Sequence, residues 1–190
     1  MPQHDMGHLP AFDGDSKLVN IVVETSKGMR TKLKYDDKRH VFVAEKVLPV
    51  GLVFPFDFGF LPSTMAEDGD PLDVLVLTEA GIPFGCVVLG QLVGVLECEQ
   101  TQDGKTERND RLLAIPIDAK KREPMLPAIT LDHRLTKAIT EFFVKYNELQ
   151  GKEFRVLGIY GPERALDIVR NGIKSGKRNG KRRKALAARA

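Results

Sequence analysis

Glu67-Asp68-Gly69-Asp70-Pro71-Leu72-Asp73-Val74-Leu75-Val76-Leu77 decides how the chain is read. Gly69 and Pro71 predict a turn. The apolar run from Asp73 to Leu77 then reads as a short strand fed directly by that turn, with no helix leading into it. Working outward, further strands are predicted from Leu18 to Glu24, Thr31 to Tyr35, Val41 to Val43, Cys86 to Val95, Leu112 to Ile115 and Phe154 to Ile159. A Pro-, Gly- and Phe-rich passage lies between Pro49 and Pro62, and a polar excursion between Gln100 and Asp110. Short strands at close spacing, without helical crossovers between them, favour a small closed barrel over a parallel sheet.

The helices come late. Leu135, Ala138, Ile139, Phe142, Phe143, Tyr146 and Leu149 recur at helical spacing, with Asp132 placed as an N-cap and Gly151 just past the end. Pro162 opens a second helix that runs through Ile173. The expected class is therefore α+β, mainly β. One domain spans residues 16–173, between a flexible arm at 1–15 and a basic disordered tail at 174–190.

Composition narrows the function classes. A chain of 190 residues can bury a core without disulfide staples. Cys86 and Cys98 lie in apolar runs and read as reduced, strand-borne thiols rather than a disulfide framework or a zinc site. No run approaches the roughly 18 apolar residues of a membrane-spanning helix. The first fifteen residues lack the apolar core of a secretory leader, so the cytoplasm is the expected compartment. The net charge of +3 mixes two regions. Eight of the 29 basic residues fall from Lys174 onward, where there is no acidic residue, which leaves 21 basic against 26 acidic before it. Such a tail either is merely solvated or makes weak, non-specific contact with polyanions.

The turn carries the chemistry. Asp68, Asp70 and Asp73 can converge there, and clustered carboxylates repel one another unless a cation shares them. Oxygen-only ligands point to Mg²⁺, with Mn²⁺ as the alternative ion. Asp-rich turns are also common without metal, and a calcium-loop pattern is absent, so spacing alone leaves both readings open. Lys27, Arg30, Lys32, Lys34 and Lys46 lie on or near the first strands. They suit a substrate dense in negative oxygens, or else protect an edge strand. Gly-x-Ser-x-Gly and P-loop patterns are absent, which argues against serine-hydrolase and nucleoside-triphosphatase readings.

Ile21-Val22-Val23-Glu24 with Lys27-Gly28, Phe54-Pro55-Phe56-Asp57-Phe58-Gly59-Phe60-Leu61-Pro62, the acidic segment above, Gly94-Val95-Leu96, Ala114-Ile115-Pro116, Phe142-Phe143 with Tyr146, and Gly151-Lys152 follow one another in this order. The series closely resembles the soluble inorganic pyrophosphatases of the OB-like barrel type, over about residues 18–173. The resemblance implies a five-stranded OB-like closed barrel flanked by two main helices. It also implies Mg²⁺-dependent hydrolysis of pyrophosphate to two phosphates by metal-activated water, in a homo-oligomer for which a hexamer is favoured. The helix around Phe142 and Tyr146 is the expected interface. By the same resemblance Asp68, Asp70 and Asp73 bind metal, Asp70 lies nearest the attacking water, and Glu24 supports the metal-water shell. Lys32, Lys46, Arg111 and Tyr146 hold phosphate oxygens.

The departures from the family pattern fall on the chemistry. Lys34 stands in place of a glutamate, Phe54 and Phe58 in place of tyrosines, Asn147 in place of a lysine, and Gln100 and Asn109 in place of two metal-binding aspartates. Lys46 and Arg111 each exchange one cation for another, which keeps charge but changes the hydrogen-bonding fork. Glu99, Asp103 and Asp110, in the longer loop, are candidates to fill the gap. A second reading therefore stands beside the first: a catalytically degenerate homologue that binds phosphate-rich ligands without appreciable turnover.

Overall fold

The computed structural model describes residues 5–125 and 131–187, with side chains described to residue 178. Nine strands and two α-helices follow in the order β1 (Val19–Thr25), β2 (Thr31–Asp36), β3 (Val41–Val47), β4 (Asp57–Leu61), β5 (Leu72–Val76), β6 (Val87–Gln102), β7 (Lys105–Arg108), β8 (Arg111–Ile117), α1 (His133–Glu148), β9 (Glu153–Tyr160) and α2 (Pro162–Ala187). Strand β1 pairs with β4, β4 with β5, β5 with β8, β8 with β6, and β6 again with β1, which closes a five-stranded ring. Only the β5–β8 pair in the ring is parallel. The expected closed barrel with two flanking helices is what the chain forms.

Alternation along the strands explains the ring's two apolar surfaces. On β5 and just beyond it, Val74 and Val76 join Val19, Ile21, Leu112, Ala114 and the α2 residues Ala165, Leu166 and Val169. Leu75 and Leu77 join Phe58, Leu113, Ile115 and the α1 residues Ile139, Phe142 and Phe143. Both faces of β5 are therefore buried, which is why its sequence is a continuous apolar run rather than an alternating one. Asp132 caps α1 as expected, accepting the Leu135 N–H at 2.8 Å.

Two strands were not anticipated. Asp57–Leu61, inside the Pro-, Gly- and Phe-rich passage, is β4, buried along its whole length. Its Gly59 is a close-approach residue: a Cβ there would lie 2.1 Å from the carbonyl oxygen of Val22 on β1. Lys105–Arg108 within the polar excursion is β7, returning from β6 through Asp103 and Gly104, both at positive φ. Asp-Gly is the turn pair a tight hairpin requires.

Three further expectations are corrected. The segment after Met6 is tied to the barrel rather than left as a free arm. The Asn20 N–H donates to the Ala11 carbonyl at 2.9 Å, Ala11 is buried, and Met6 and Leu9 pack against Val22, Tyr35 and Phe60. Helix α2 continues through the stretch expected to be disordered, to Ala187. That stretch is rich in Lys, Arg and Ala, which are good helix formers. Gly172 and Gly176 seat the helix on the turn before β5, where a Cβ on Gly172 would meet Leu72 at 2.7 Å and one on Gly176 would meet the Ser63 carbonyl at 3.2 Å. Residues 1–4 and 188–190 of the expected arm and tail lie outside the described residues. Cys98 is buried as expected, but Cys86 is exposed and precedes β6.

Candidate active site

The acidic segment is shaped by its own backbone. The Ala66 N–H donates to the Asp70 carbonyl at 2.8 Å, the Asp70 N–H donates to Oδ1 of Asp68 at 3.0 Å, and Gly69 takes φ +89°. Asp73 follows on β5, opposite Phe60 of β4. The turn, the start of β8 and helix α2 enclose a cleft of about 420 Å³, lined among others by Asp68, Asp73, Arg108, Asp110, Arg111 and Arg164.

Each of two aspartates already faces a protein cation. Asp70 Oδ2 lies 2.7 Å from Lys34 Nζ, and Asp73 Oδ2 lies 2.7 Å from Arg111 Nη1. Asp68 has no such partner among the described residues. Burial raises its pKa first, and the charges of Asp70 and Asp73 raise it further. Glu24 on β1 is buried and accepts the Tyr35 N–H at 2.6 Å. Burial pushes its carboxyl up to about 7, with Asp73 adding to the effect against the Tyr35 hydrogen bond and the charges of Lys32 and Lys34.

The expected full convergence of Asp68, Asp70 and Asp73 is not what the chain forms. Among the described residues, their ligand atoms are not a group lying within 4.8 Å of one another. The physical reason is charge pairing: Lys34 draws Asp70 toward β2, and Arg111 draws Asp73 toward β8. The donor chemistry still suits a hard divalent cation, because the donors are all carboxylate oxygens and Asp68 and Asp73 share one cleft. The charges of Asp70 and Asp73 that help raise the Asp68 pKa are the kind a bound cation offsets.

The basic residues come from the β2–β3 hairpin, the start of β8 and the turn between α1 and β9. Lys32 Nζ pairs with Glu45 at 2.8 Å and sits 5.7 Å from the Phe58 ring centroid. Burial opposes its charge most, but Tyr146, Asp73 and Glu45 together hold its pKa above the ordinary lysine value. Lys46 Nζ lies 5.3 Å above the Tyr146 ring and donates to Oε1 of Gln150. Lys152, absent from the predicted set, belongs here: burial and then the charges of Lys46 and Lys32 lower its pKa. Its only sequence signal was its place after Gly151. Arg111 is buried, with its guanidinium 5.8 Å from the Phe58 centroid and 5.2 Å from that of Phe143. Its Nη1 donates to the carbonyls of Asn109 and Asp110, each at 3.0 Å, and its Nε has no partner.

The unusual side chains have local roles. Phe54 and Phe58 are buried in the aromatic cluster with Phe142, Phe143 and Tyr146. Asn147 is buried and donates to the Phe143 carbonyl at 2.8 Å within α1. Asn109 Nδ2 donates to Oε1 of Gln100 at 2.9 Å, and Asn109 Oδ1 accepts from Arg111 Nη1. Of the residues expected to move in, Glu99 pairs with Arg155 and Asp103 sits at the hairpin tip. Asp110 does line the cleft, but it accepts the Cys98 N–H at 2.9 Å and pairs with Arg108. Arg108 and Arg164, also missed, both pair with Glu97. Phe142 and Tyr146 mark the helix expected at a subunit interface. Both lie in the chain's own core, and Val144 and Leu149 are the exposed apolar residues of that helix region.

Comparison with known proteins places this arrangement. A family model described as inorganic pyrophosphatase matches residues 21–177. The inorganic pyrophosphatase of Methanosarcina acetivorans is 35% identical over 160 residues, covering 82% of this chain and 90% of that protein. That of Synechocystis is 30% identical over 172 residues, covering 90% and 98%. The crystal structure of inorganic pyrophosphatase from Thermus thermophilus superposes with a TM-score of 0.77 at 30% identity, covering 91% of this chain and 99% of that one. The match runs through the barrel, the acidic turn and most of the described length of α2, and on that extent the chain belongs to the inorganic pyrophosphatase family.

Proposed function

We propose that the chain hydrolyses inorganic pyrophosphate to two phosphates in a Mg²⁺-dependent reaction, with Mn²⁺ as an alternative ion. The observation that carries this reading is the meeting of an acidic turn, Asp68 to Asp73, with the half-buried Lys32 and the buried Arg111, both of which bear on Asp73. Phosphoryl transfer needs little covalent help from a protein. It needs the oxygens neutralised and the nucleophile aligned. Lys32, Lys46, Arg111 and Tyr146 hold the substrate's oxygens in this reading, and Lys152 adds a further cation. Asp68, Asp70 and Asp73 hold the metal, and Glu24 supports its water shell. A bound Mg²⁺ supplies charge neutralisation and makes water more acidic. Asp70 takes the proton of the attacking water.

The degenerate reading has a specific observation in its favour: Lys34 occupies Asp70, and Gln100 and Asn109 bind each other. Phosphate release from pyrophosphate by the purified protein, with Mg²⁺ and with chelator, separates the two. Release that depends on Mg²⁺ supports the enzyme. Calorimetric binding of pyrophosphate with no release at any Mg²⁺ or Mn²⁺ concentration supports the degenerate homologue.

The wider setting belongs to the same reading. No described helix is long and apolar enough to cross a membrane. The protein acts in the cytoplasm as a homo-oligomer, with a hexamer favoured, and light scattering reads that mass directly. The basic end of α2 contributes weak polyanion contact that is dispensable for hydrolysis. Retention on nucleic acid at low salt should fall when residues 179–190 are deleted.

A further inference from the structure

Among the described residues, one group of His, Cys, Asp or Glu side chains has ligand atoms that all lie within 4.8 Å of one another: Asp5, His8 and Asp37. It is separate from the acidic turn. Asp5 and His8 belong to the segment before β1, and Asp37 to the turn between β2 and β3. His40, in the same turn, brings a second imidazole, with Nδ1 3.4 Å from Oδ1 of Asp5 and 3.3 Å from the Tyr35 hydroxyl. We infer that Asp5, His8 and Asp37, with His40 beside them, bind a divalent transition ion of the Zn²⁺ class, distinct from the Mg²⁺ of the acidic turn.

Three observations carry this. The first is composition: two imidazoles with two carboxylates suit Zn²⁺, Co²⁺, Ni²⁺ or Cu²⁺ better than Mg²⁺, which prefers oxygen alone. The second is charge. Asp5 and Asp37 stand close together, and among the described residues neither makes an ion pair with a lysine or arginine, although Lys38 and Arg39 are adjacent in sequence. Arg39 turns instead to Asp36. The third is steric. A Cβ on Gly7 would fall 2.2 Å from Oδ1 of Asp37, so the carboxylate lies against the backbone between Asp5 and His8.

Two ligands of a tetrahedral zinc ion at about 2.1 Å stand roughly 3.4 Å apart. The 4.8 Å limit therefore leaves a small closure to be made. His8, whose side chain is 77% exposed, is free to make it. Asp5 already touches Nδ1 of His8, so the carboxylate and the imidazole stand together before any ion binds. An ion here would staple the N-terminal segment to the hairpin that carries Lys32, Lys34 and Lys46, with Met6 and Leu9 packed beneath.

The test uses the full chain, stripped of metal and then held in millimolar Mg²⁺ so that the oxygen site is filled. Zn²⁺ titrated by calorimetry should bind at about one equivalent per chain, raise the unfolding midpoint and resist displacement by further Mg²⁺. Asp37→Asn and His8→Ala should each weaken that binding at least tenfold while leaving Zn²⁺-free phosphate release unchanged. The ring resonances of His8 and His40 in the unsubstituted protein provide a readout that needs no variant, and both should move with the first equivalent of Zn²⁺. Binding that excess Mg²⁺ abolishes, binding unchanged in both variants, or histidine resonances that stay in place would overturn the assignment.

Discussion

Lys34 Nζ lies 2.7 Å from Oδ2 of Asp70, so an ammonium on the β2–β3 hairpin occupies the middle carboxylate of the acidic turn. The pair is partly solvated, and its importance is positional more than energetic. Any Mg²⁺ that uses Asp70 must first displace Lys34 or share the carboxylate with it. Lys34→Glu removes the competitor and adds an oxygen donor. The Mg²⁺ concentration giving half-maximal phosphate release should fall several-fold, and Lys34→Gln should show a smaller fall in the same direction. An unchanged Mg²⁺ dependence in both variants would mean that the contact has no part in metal binding.

Glu24 yields a pH prediction whose sign follows from its burial. The unfolded side chain ionises near 4.5, whereas in the fold its carboxyl is pushed up to about 7. Between those values the folded state holds a proton that the unfolded chain has released. Its stabilising share is complete below about 4.5, is lost as pH rises toward 7, and is absent above. In chelator, Glu24→Gln should match the parent near pH 4.5 and exceed it above pH 7, by up to about 3 kcal/mol if each unit is worth about 1.4. Denaturant unfolding at pH 5 and pH 8 measures this. Adding Mg²⁺ should recover the parent but not the variant, since a nearby cation favours the carboxylate.

Gly59→Ala tests the ring closure. The added methyl meets a backbone carbonyl, Val22 O, which cannot rotate away, so the β1–β4 pairing must shift. A loss of about 2–3 kcal/mol in urea unfolding is expected. A change under 0.5 kcal/mol would show that the two strands separate more easily than this geometry implies.

Gly59 also shows where the sequence stops being legible. Strands whose apolar residues run together, such as β5 and β8, were readable because burial on both faces leaves no other composition. The ring could be expected from their spacing. Strand β4 was hidden because Pro55 and Gly59 signal irregularity locally, and only the approach of β1 explains the glycine. Helix α2 extends past its expected end because the run of cations from Lys174 onward carries no apolar stripe to signal it, whereas Gly172 and Gly176 bring the helix against Leu72 and Ser63. At the site, residue types were legible and pairings were not. Nothing in the spacing of Lys34, Gln100 or Asn109 says that the first reaches Asp70 or that the other two bond to each other.

Asp70 and Asp73 should separate in kinetics because they differ in setting. Asp73 lies on β5 and neutralises Arg111, a buried guanidinium whose Nε is already without a partner. Asp73→Asn removes a carboxylate of the proposed metal site and leaves that cation uncompensated, so both the Mg²⁺ requirement and the unfolding midpoint should suffer. Asp70 is exposed on the turn, and its loss frees only the half-solvated Lys34. Asp70→Asn should leave the unfolding midpoint nearly unchanged. If Asp70 takes the proton of the attacking water, the turnover number falls about 10²- to 10⁴-fold with a smaller change in Mg²⁺ dependence. Steady-state phosphate release across Mg²⁺ concentrations, paired with thermal unfolding, distinguishes the two. Equal losses of turnover and of Mg²⁺ affinity in both variants would assign Asp70 to metal binding alone. The attacking water would then have to lose its proton to another group, and the Asp68 carboxyl, whose pKa is raised by burial and by its acidic neighbours, is a candidate in the cleft.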